Sequence, residues 1–507
     1  MRLFPMSSGR ARVRLVEAGS AIVAAALIAG CGNAYRPVVT PVNPSGPAAQ
    51  PQSYAVVVSS PSATANGIVT IIDYSGDTVM AVAPIGPGPS SFTLDQLGGN
   101  GYTVDSDGTL ANFPISDTLQ SKNILYSTLS ASAQLVNLTS PVGLWAPDLN
   151  GNVVDVFTGS PQDFKLAVPV ALTPVAVIGT PKLQPQRQYV ISQNFADATG
   201  LTCNTSPATA PAGLLTPIES STYTADAPIP LGKCPVFGVE SIDQRRVFVL
   251  NRGDDTITVI NTQNNALDQC IPYLNQNGQT VTCHPTLPLS TTAVAATGIT
   301  PPNGTSGMAA HAGPVYAEYS PTLSELVVAN YDGGTISVID VGLDEYGNDG
   351  PTFGTTYTIP VGNYPASVTV LADGTRAYAA NQADGTVTIA NLISHTVSGT
   401  LSVVGHPRNV VSTQNSLFSK VYAASPDSPY LTILGSTPTT SDQVITTILV
   451  EGNVVDVRVT SQNGTSSANA NVVSRSAGHG EPCNLPPALM ISTYTANYTL
   501  KQCQAIP

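Results

Sequence analysis

The chain has 507 residues, of which 42% are hydrophobic and only 10% charged, with 43 Gly and 42 Pro. A typical soluble domain is about 25% charged, so this surface is polar without being ionic, and the density of breakers argues against long exposed helices and coiled coils. The net charge of −13 and the pI near 4.6 argue against nucleic acid as a partner, because phosphate neutralisation needs a basic face.

Residues 1–30 read as a secretory signal. Arg2, Arg10, Arg12 and Arg14 form a basic start. Ala18 to Ala29 is an apolar run of 12 residues, too short to span a bilayer as a stable helix. It ends in Ile28-Ala29-Gly30-Cys31, which resembles the lipobox of bacterial lipoproteins: small residues admit the peptidase, and the Cys31 thiol accepts the lipid. The resemblance implies a lipid-anchored protein outside the cytoplasm, held to the membrane through Cys31. Gly32 stands where that family's inner-membrane retention signal is Asp, which implies the outer membrane where the cell has one. Four of the 19 basic and one of the 32 acidic side chains lie in the signal, so cleavage leaves 477 residues of net charge −16.

Residues 31–53 follow as a tether. Pro37, Pro41, Pro44, Pro47 and Pro51 among small polar residues favour extended conformations and cannot bury a core.

From Tyr54 onward the pattern is short Val/Ile/Thr/Tyr runs bounded by Gly, Pro, Asn and Asp, the signal for strands and turns. Three pairs of runs look alike. Val247 to Asn251 precedes Thr256 to Asn261, Leu326 to Asn330 precedes Thr335 to Asp340, and Ala377 to Asn381 precedes Thr386 to Asn391. The intervening turns, such as Asp332-Gly333-Gly334 and Asp384-Gly385, suit the positive φ of a tight hairpin. A corner recurs as well: Ile229-Pro230-Leu231-Gly232 before Pro235, Ile359-Pro360-Val361-Gly362 before Pro365, and Val403-Val404-Gly405 before Pro407. Four strands in about 40–45 residues is a β-propeller blade. These residues resemble the YVTN-type β-propeller repeat over about 54–460, a resemblance that implies fold more than function.

The residues that end the Asn-type strands are Ser59, Asp105, Asp148, Asn194, Asn251, Asn330, Asn381 and Ser425, spaced 46, 43, 46, 57, 79, 51 and 44 apart. They predict an all-β chain with a single propeller of eight four-stranded blades. Seven, the common number in that family, is the alternative, since residues 101–180 are the loosest units. Without the repeat, an array of β-sandwiches is what the strands would form. The first unit lacks its innermost strand, and Val454 to Val459 is a spare strand that would close the ring. Residues 461–507 read as a Ser/Asn/Gly-rich linker and a tail in which Ala488 to Tyr494 could add a strand.

Beyond Cys31 six cysteines remain, an even number that suits an exported chain. Proximity pairs Cys203 with Cys234, Cys270 with Cys283, and Cys483 with Cys503. With blade strands lettered a to d from the axis outward, Cys203 falls in a b–c loop and Cys234 in the next d–a loop, on the same face of the ring. Cys270 and Cys283 share one c–d insertion.

The five histidines, His284, His311, His395, His406 and His479, form no HxH, HExxH or Cys/His zinc spacing, and read as scattered turn residues. No G-x-S-x-G elbow or Walker loop is present. The acidic turns at Asp105 to Gly108, Asp148 to Asn152 and Asp344 to Asp349 offer oxygens for calcium without completing an EF-hand loop; hairpin turns use the same residues for backbone reasons, so no cofactor is expected. Function is expected in what does not recur: the insertions at about 195–212, 262–312 and 341–356. The expected role is a binding or scaffold module for proteins or surface polysaccharide. The alternative is a lactonase-like or metal-dependent hydrolase working in the channel, for which Glu240, Glu318, Asp456 and the neighbouring Arg458 are the candidates.

Overall fold

The computed structural model describes residues 54–460, except 63, 74, 96–97, 116–124, 129–136, 141–142, 150, 160–161, 181–184, 196–202, 204–208, 275–277, 279, 291–310, 321, 345, 414–418 and 437–441. The signal, Cys31, the tether, His479, the Cys483–Cys503 pair and the tail all lie outside the described residues.

Eight antiparallel sheets, each a blade, form a β-propeller. Blade 1 takes Asn453–Val459 as strand a, followed by Tyr54–Ser60, Asn66–Asp73 and Thr78–Pro87. Blade 2 is Ser91–Leu94, Asn100–Val104, Thr109–Pro114 and Leu125–Thr128. Blade 3 is Asn137–Ser140, Gly143–Asp148, Val153–Thr158 and Asp163–Pro169. Blade 4 is Pro174–Gly179, Arg187–Ser192, Ala212–Glu219 and a split outer strand, Thr224–Ala225 with Ile229–Lys233. Blade 5 is Pro235–Glu240, Arg246–Asn251, Thr256–Asn261 and another split strand, Ala266–Leu267 with Thr286–Pro288. Blade 6 is Pro314–Ser320, Glu325–Asn330, Thr335–Asp340 and Thr356–Pro360. Blade 7 is Pro365–Val370, Arg376–Asn381, Thr386–Asn391 and Thr396–Ser402. Blade 8 is Asn409–Ser412, Lys420–Ala424, Tyr430–Gly435 and Gln443–Leu449.

The count is therefore eight, and the spare strand closes the ring as expected. Asn453–Val459 pairs antiparallel with Tyr54–Ser60. The seam ends in a reciprocal contact: the Tyr54 N–H donates to Thr460 Oγ1 at 2.7 Å and the Thr460 N–H to the Tyr54 carbonyl at 2.9 Å.

Burial explains why the strands read as apolar runs. Strands b and c are nearly continuous in burial, as in Arg376–Asn391, because both faces pack on neighbouring blades. Outer strands such as Thr396–Ser402 are mostly exposed. The core is a succession of clusters between adjacent blades; one joins Val338 and Ile359 of blade 6 to Val368 and Ala379 of blade 7.

The recurring Asn has a specific task. Asn251 Nδ2 donates to Thr256 and Thr258, Asn330 Nδ2 to Thr335 and Ser337, and Asn381 Nδ2 to Thr386 and Thr388, all at 2.7–3.1 Å. One buried amide thus clamps both arms of the b–c hairpin in three blades. The turn glycines Gly334 and Gly385 both take φ of 63°, the left-handed region that the hairpin reading required.

In blade 2 the same position is Asp105. Its oxygens accept from the Thr103 and Thr109 hydroxyls. Burial nonetheless pushes its carboxyl up to about 8, the two hydroxyls pulling it down and the Asp107 charge pushing it up. An unfolded Asp ionises near 3.9. Between about pH 4 and pH 8 the folded chain keeps a proton that the unfolded chain has lost, so this group's contribution to stability falls as pH rises through that window. Burial raises Asp155 to about 6 and Glu325 to about 7 in the same direction. Asp105→Asn, which places there the clamp residue of blades 5 to 7, is expected to lessen the slope. Urea titrations at pH 4.5 and 8.5 should show the variant near wild type at the lower pH and more stable at the higher.

Candidate binding face

The first two disulfide expectations hold. Cys203–Cys234 and Cys270–Cys283 each span 5.5 Å between Cα atoms. Cys203–Cys234 joins a b–c loop to a d–a corner, as the topology argument required. Cys270–Cys283 closes a loop that interrupts the outer strand of blade 5 and carries a small ribbon, Tyr273–Leu274 paired with Thr280–Val281.

A buried ion cluster, which the repeat pattern does not predict, joins the insertions of blades 5 and 6. Arg246 opens strand b of blade 5, and its guanidinium is buried on the face carrying the a–b and c–d loops. Nη2 lies 3.1 Å from Asp268 Oδ1, 3.0 Å from Asp349 Oδ1 and 3.2 Å from the Gly347 carbonyl. Asp268 belongs to the blade 5 insertion and Asp349 to the blade 6 insertion at 341–356. His284 completes the cluster. Its Nδ1 is 2.7 Å from Asp349 Oδ2, its backbone N–H donates to the same oxygen, and its ring stacks on Phe353. Two acids thus share one cation. Burial pushes Asp268 up to about 6, the Arg246 charge pulling it down and Asp349 pushing it up again. The sequence held one clue: Arg246 is a charge at the head of a strand whose remaining residues are apolar or structural.

This cluster fixes the base of the Cys270–Cys283 loop, and the loop presents apolar side chains to water. Ile271 is 87% exposed, Leu274 69% and Tyr273 45%. Beside it lies an open groove of about 740 Å³ between the outer strands of blades 4 and 5. Pro228, Pro230, Leu267 and Ile271 supply its apolar wall, and Asn265 and Gln269 its amides. None of its lining residues is ionisable.

The opposite face has its own pair. Arg252 of blade 5 makes a two-pronged contact with Asp332 of blade 6 at 3.0–3.1 Å and donates to the Cys203 carbonyl. His311 Nδ1 lies 2.9 Å from Asp255 there. His406 pairs with Asp427 in the corner before blade 8, the place taken by Asn363 and Asp384 before blade 7. His395 stacks on Tyr357 at 3.6 Å between ring centres. Four of the histidines read as scattered therefore each have a partner.

The channel candidates lie on strands a, where Glu318, Asp456 and Arg458 serve neighbouring strands and blades. Glu318 Oε1 accepts the Val370 N–H of blade 7 at 3.1 Å. Thr369 holds the matching register position in blade 7 and accepts the Ser412 N–H of blade 8 at 3.0 Å. Ser367 does the same for the Val410 N–H. Glu318 is thus one of a series that caps the inner edge of the next blade. Asp456 accepts from Arg458 Nε and Nη2 at 3.1–3.2 Å and from the Asn409 amide. The Arg458 guanidinium in turn lies 5.6 Å from the Phe92 ring centre of blade 2. Glu240 is half-buried at the end of its strand.

The acidic turns use their oxygens locally. Asp148 accepts from the Gly151 N–H, and Asp344 from the N–H groups of Tyr346 and Asn348. Among the described residues, no group of three or more His, Cys, Asp or Glu side chains could hold a metal ion.

The ring defines the class: an eight-bladed β-propeller. No protein-family model and no curated protein sequence matches the chain. Solved structures do. Apo AztD from Citrobacter koseri aligns with a TM-score of 0.53 at 11% identity, over 80% of this chain and 97% of that one. Dihydro-heme d1 dehydrogenase NirN in complex with DHE aligns with a TM-score of 0.54 at 13% identity, over 84% and 78%. At such identities the likeness shows the fold alone.

Arg246→Met would leave two carboxylates buried without their cation. Removing one partner of a buried ionic cluster costs about 3–5 kcal/mol. Urea denaturation at pH 7.5 should show a loss of that order. Adding Asp268→Asn, which removes one of the stranded charges, is expected to recover part of it.

Proposed function

We propose that the protein is a lipid-anchored binding module of the bacterial cell envelope, outside the cytoplasm. Its partner is a protein or a surface polysaccharide, met through the a–b/c–d face of blades 4 to 6. The observation that carries this reading is the buried Arg246 cluster, which unites two non-repeating insertions and so presents an apolar loop and a groove on a stiff base. Binding surfaces work best when the contact residues are held before the partner arrives, and exposed apolar side chains on a polar rim are the usual anchors. The anchor itself rests on the lipobox-like Ile28-Ala29-Gly30-Cys31 and the tether behind it.

The hydrolase alternative draws on the channel carboxylates. Glu318 and Asp456 are engaged with the Val370 N–H and with Arg458, in roles that the ring itself requires. That is why the binding reading is preferred. The acidic surface supports a partner other than nucleic acid.

Two measurements test the proposal. Metabolic labelling with a palmitate analogue should mark the wild type and not Cys31→Ser, and the variant should leave the membrane fraction. Ile271→Asp with Leu274→Asp should keep the wild-type melting temperature while weakening capture of envelope proteins or polysaccharide by about tenfold or more, the scale of losing two anchor residues. Unchanged capture by a folded double variant would reject this face as the binding surface.

A further inference from the structure

The outer edge of blade 8 is built unlike the others. Gln443–Leu449 pairs on one side with Tyr430–Gly435, and among the described residues no strand pairs with its other side. Open edges template pairing with other chains, and proteins guard them with charge, proline, interruption or short length. Blade 1 has Pro84 in its outer strand, blade 3 Asp163 and Lys165, blade 6 Pro360, and blade 7 Gly399. The outer strands of blades 4 and 5 are split. Gln443–Leu449 is the one outer strand of five or more residues among those described with no charge, proline or glycine. Val444, Ile445 and Leu449 are 40%, 47% and 63% exposed; Val444 and Leu449 share a face with Tyr430, while Ile445, at a bulge in the strand, lies on the other face beside Gly435. A neutral, β-branched heptad of this kind has the composition that seeks another strand.

We propose that this edge is covered by the chain's own tail, with Ala488-Leu489-Met490-Ile491-Ser492-Thr493-Tyr494 as a fifth strand of blade 8. Beyond Thr460 the chain has 47 more residues. Thr460 lies beside Tyr54 at the end of strand a in blade 1, and blade 1 shares a packed core with blade 8 through Val457, Val411 and Ile433. Strand a ends, and strand d begins, on the same a–b/c–d face, so the tail leaves the ring on the side where the open edge starts. Four strand spacings, from the axis to a position outside strand d, amount to about 20 Å. The 27 residues 461–487 are rich in Ser, Asn and Gly, and a flexible chain of that length spans about 30 Å on average. Residues 488–494 match the edge in length and, like it, contain no charge, proline or glycine.

Hydrogen exchange on the full chain tests this. Alternate amides of Gln443–Leu449 point away from Tyr430–Gly435. They are expected to exchange slowly in the wild type, and about a hundredfold faster in Met490→Pro, because proline removes a ladder donor and does not sit in a paired strand. Ala496→Pro, just outside the segment, should leave them protected. Fast exchange of these amides in the wild type would overturn the proposal, and so would protection that survives Met490→Pro. Protection that rises with protein concentration would also overturn it, because the cover would then be a second copy of the chain.

Discussion

The architecture depends on one pairing, that of Asn453–Val459 with Tyr54–Ser60. The two strands lie at opposite ends of the propeller in sequence and side by side at its axis. Every other blade is folded from consecutive strands, so its contacts close short loops. This pairing alone must close a loop of about 400 residues, and it removes the two edges that an open ring would leave. The reciprocal bonds between Tyr54 and Thr460 mark its end. With the ring closed, each blade is packed on both sides, and strands b and c can be apolar on both faces.

Inside the ring a second constraint follows. The innermost strands expose one row of backbone groups towards the axis, and buried N–H groups need partners. Ser367, Thr369 and Glu318 supply them from the neighbouring blade. Asp456 and Arg458, both buried, belong to the same lining and neutralise each other. Acids on these strands therefore have a structural role before any chemical one is invoked. The Asn clamp plays the corresponding part at the b–c hairpins, where one amide replaces several weaker turn contacts.

The insertions obey different physics. They are not repeated, so no neighbouring copy supports them, and disulfides and buried ions hold them instead. Arg246 gathers Asp268, Asp349 and the His284–Phe353 stack from three separate segments. A buried ion cluster of this kind is weak evidence of stability and better read as a device for fixing one arrangement. Here the arrangement it fixes is the base of the Cys270–Cys283 loop, whose Ile271 and Leu274 are the most exposed large apolar side chains among the described residues.

Much of this was legible in the residues themselves. Hydrophobic alternation and hairpin turns are local, so strand runs, the recurring Asn, the Ile-Pro-Val-Gly corner and the eightfold count could all be read along the chain. Two disulfides followed once loops were assigned to faces. The closing strand was visible because 454–459 had no partner in its own unit. Contacts between segments were not legible. A charge at the head of strand b marks Arg246 as it marks Arg187 and Arg376, but nothing local tells what Arg246 pairs with or places His284 on Asp349, and alternation did not reveal that Glu318 reaches the next blade's backbone. The sequence by itself determined the repeat, its strands and its turns, because those depend on neighbours a few residues apart. Only the tertiary structure decided which insertions meet and which carboxylates are engaged, because those contacts join residues that ring closure alone brings together.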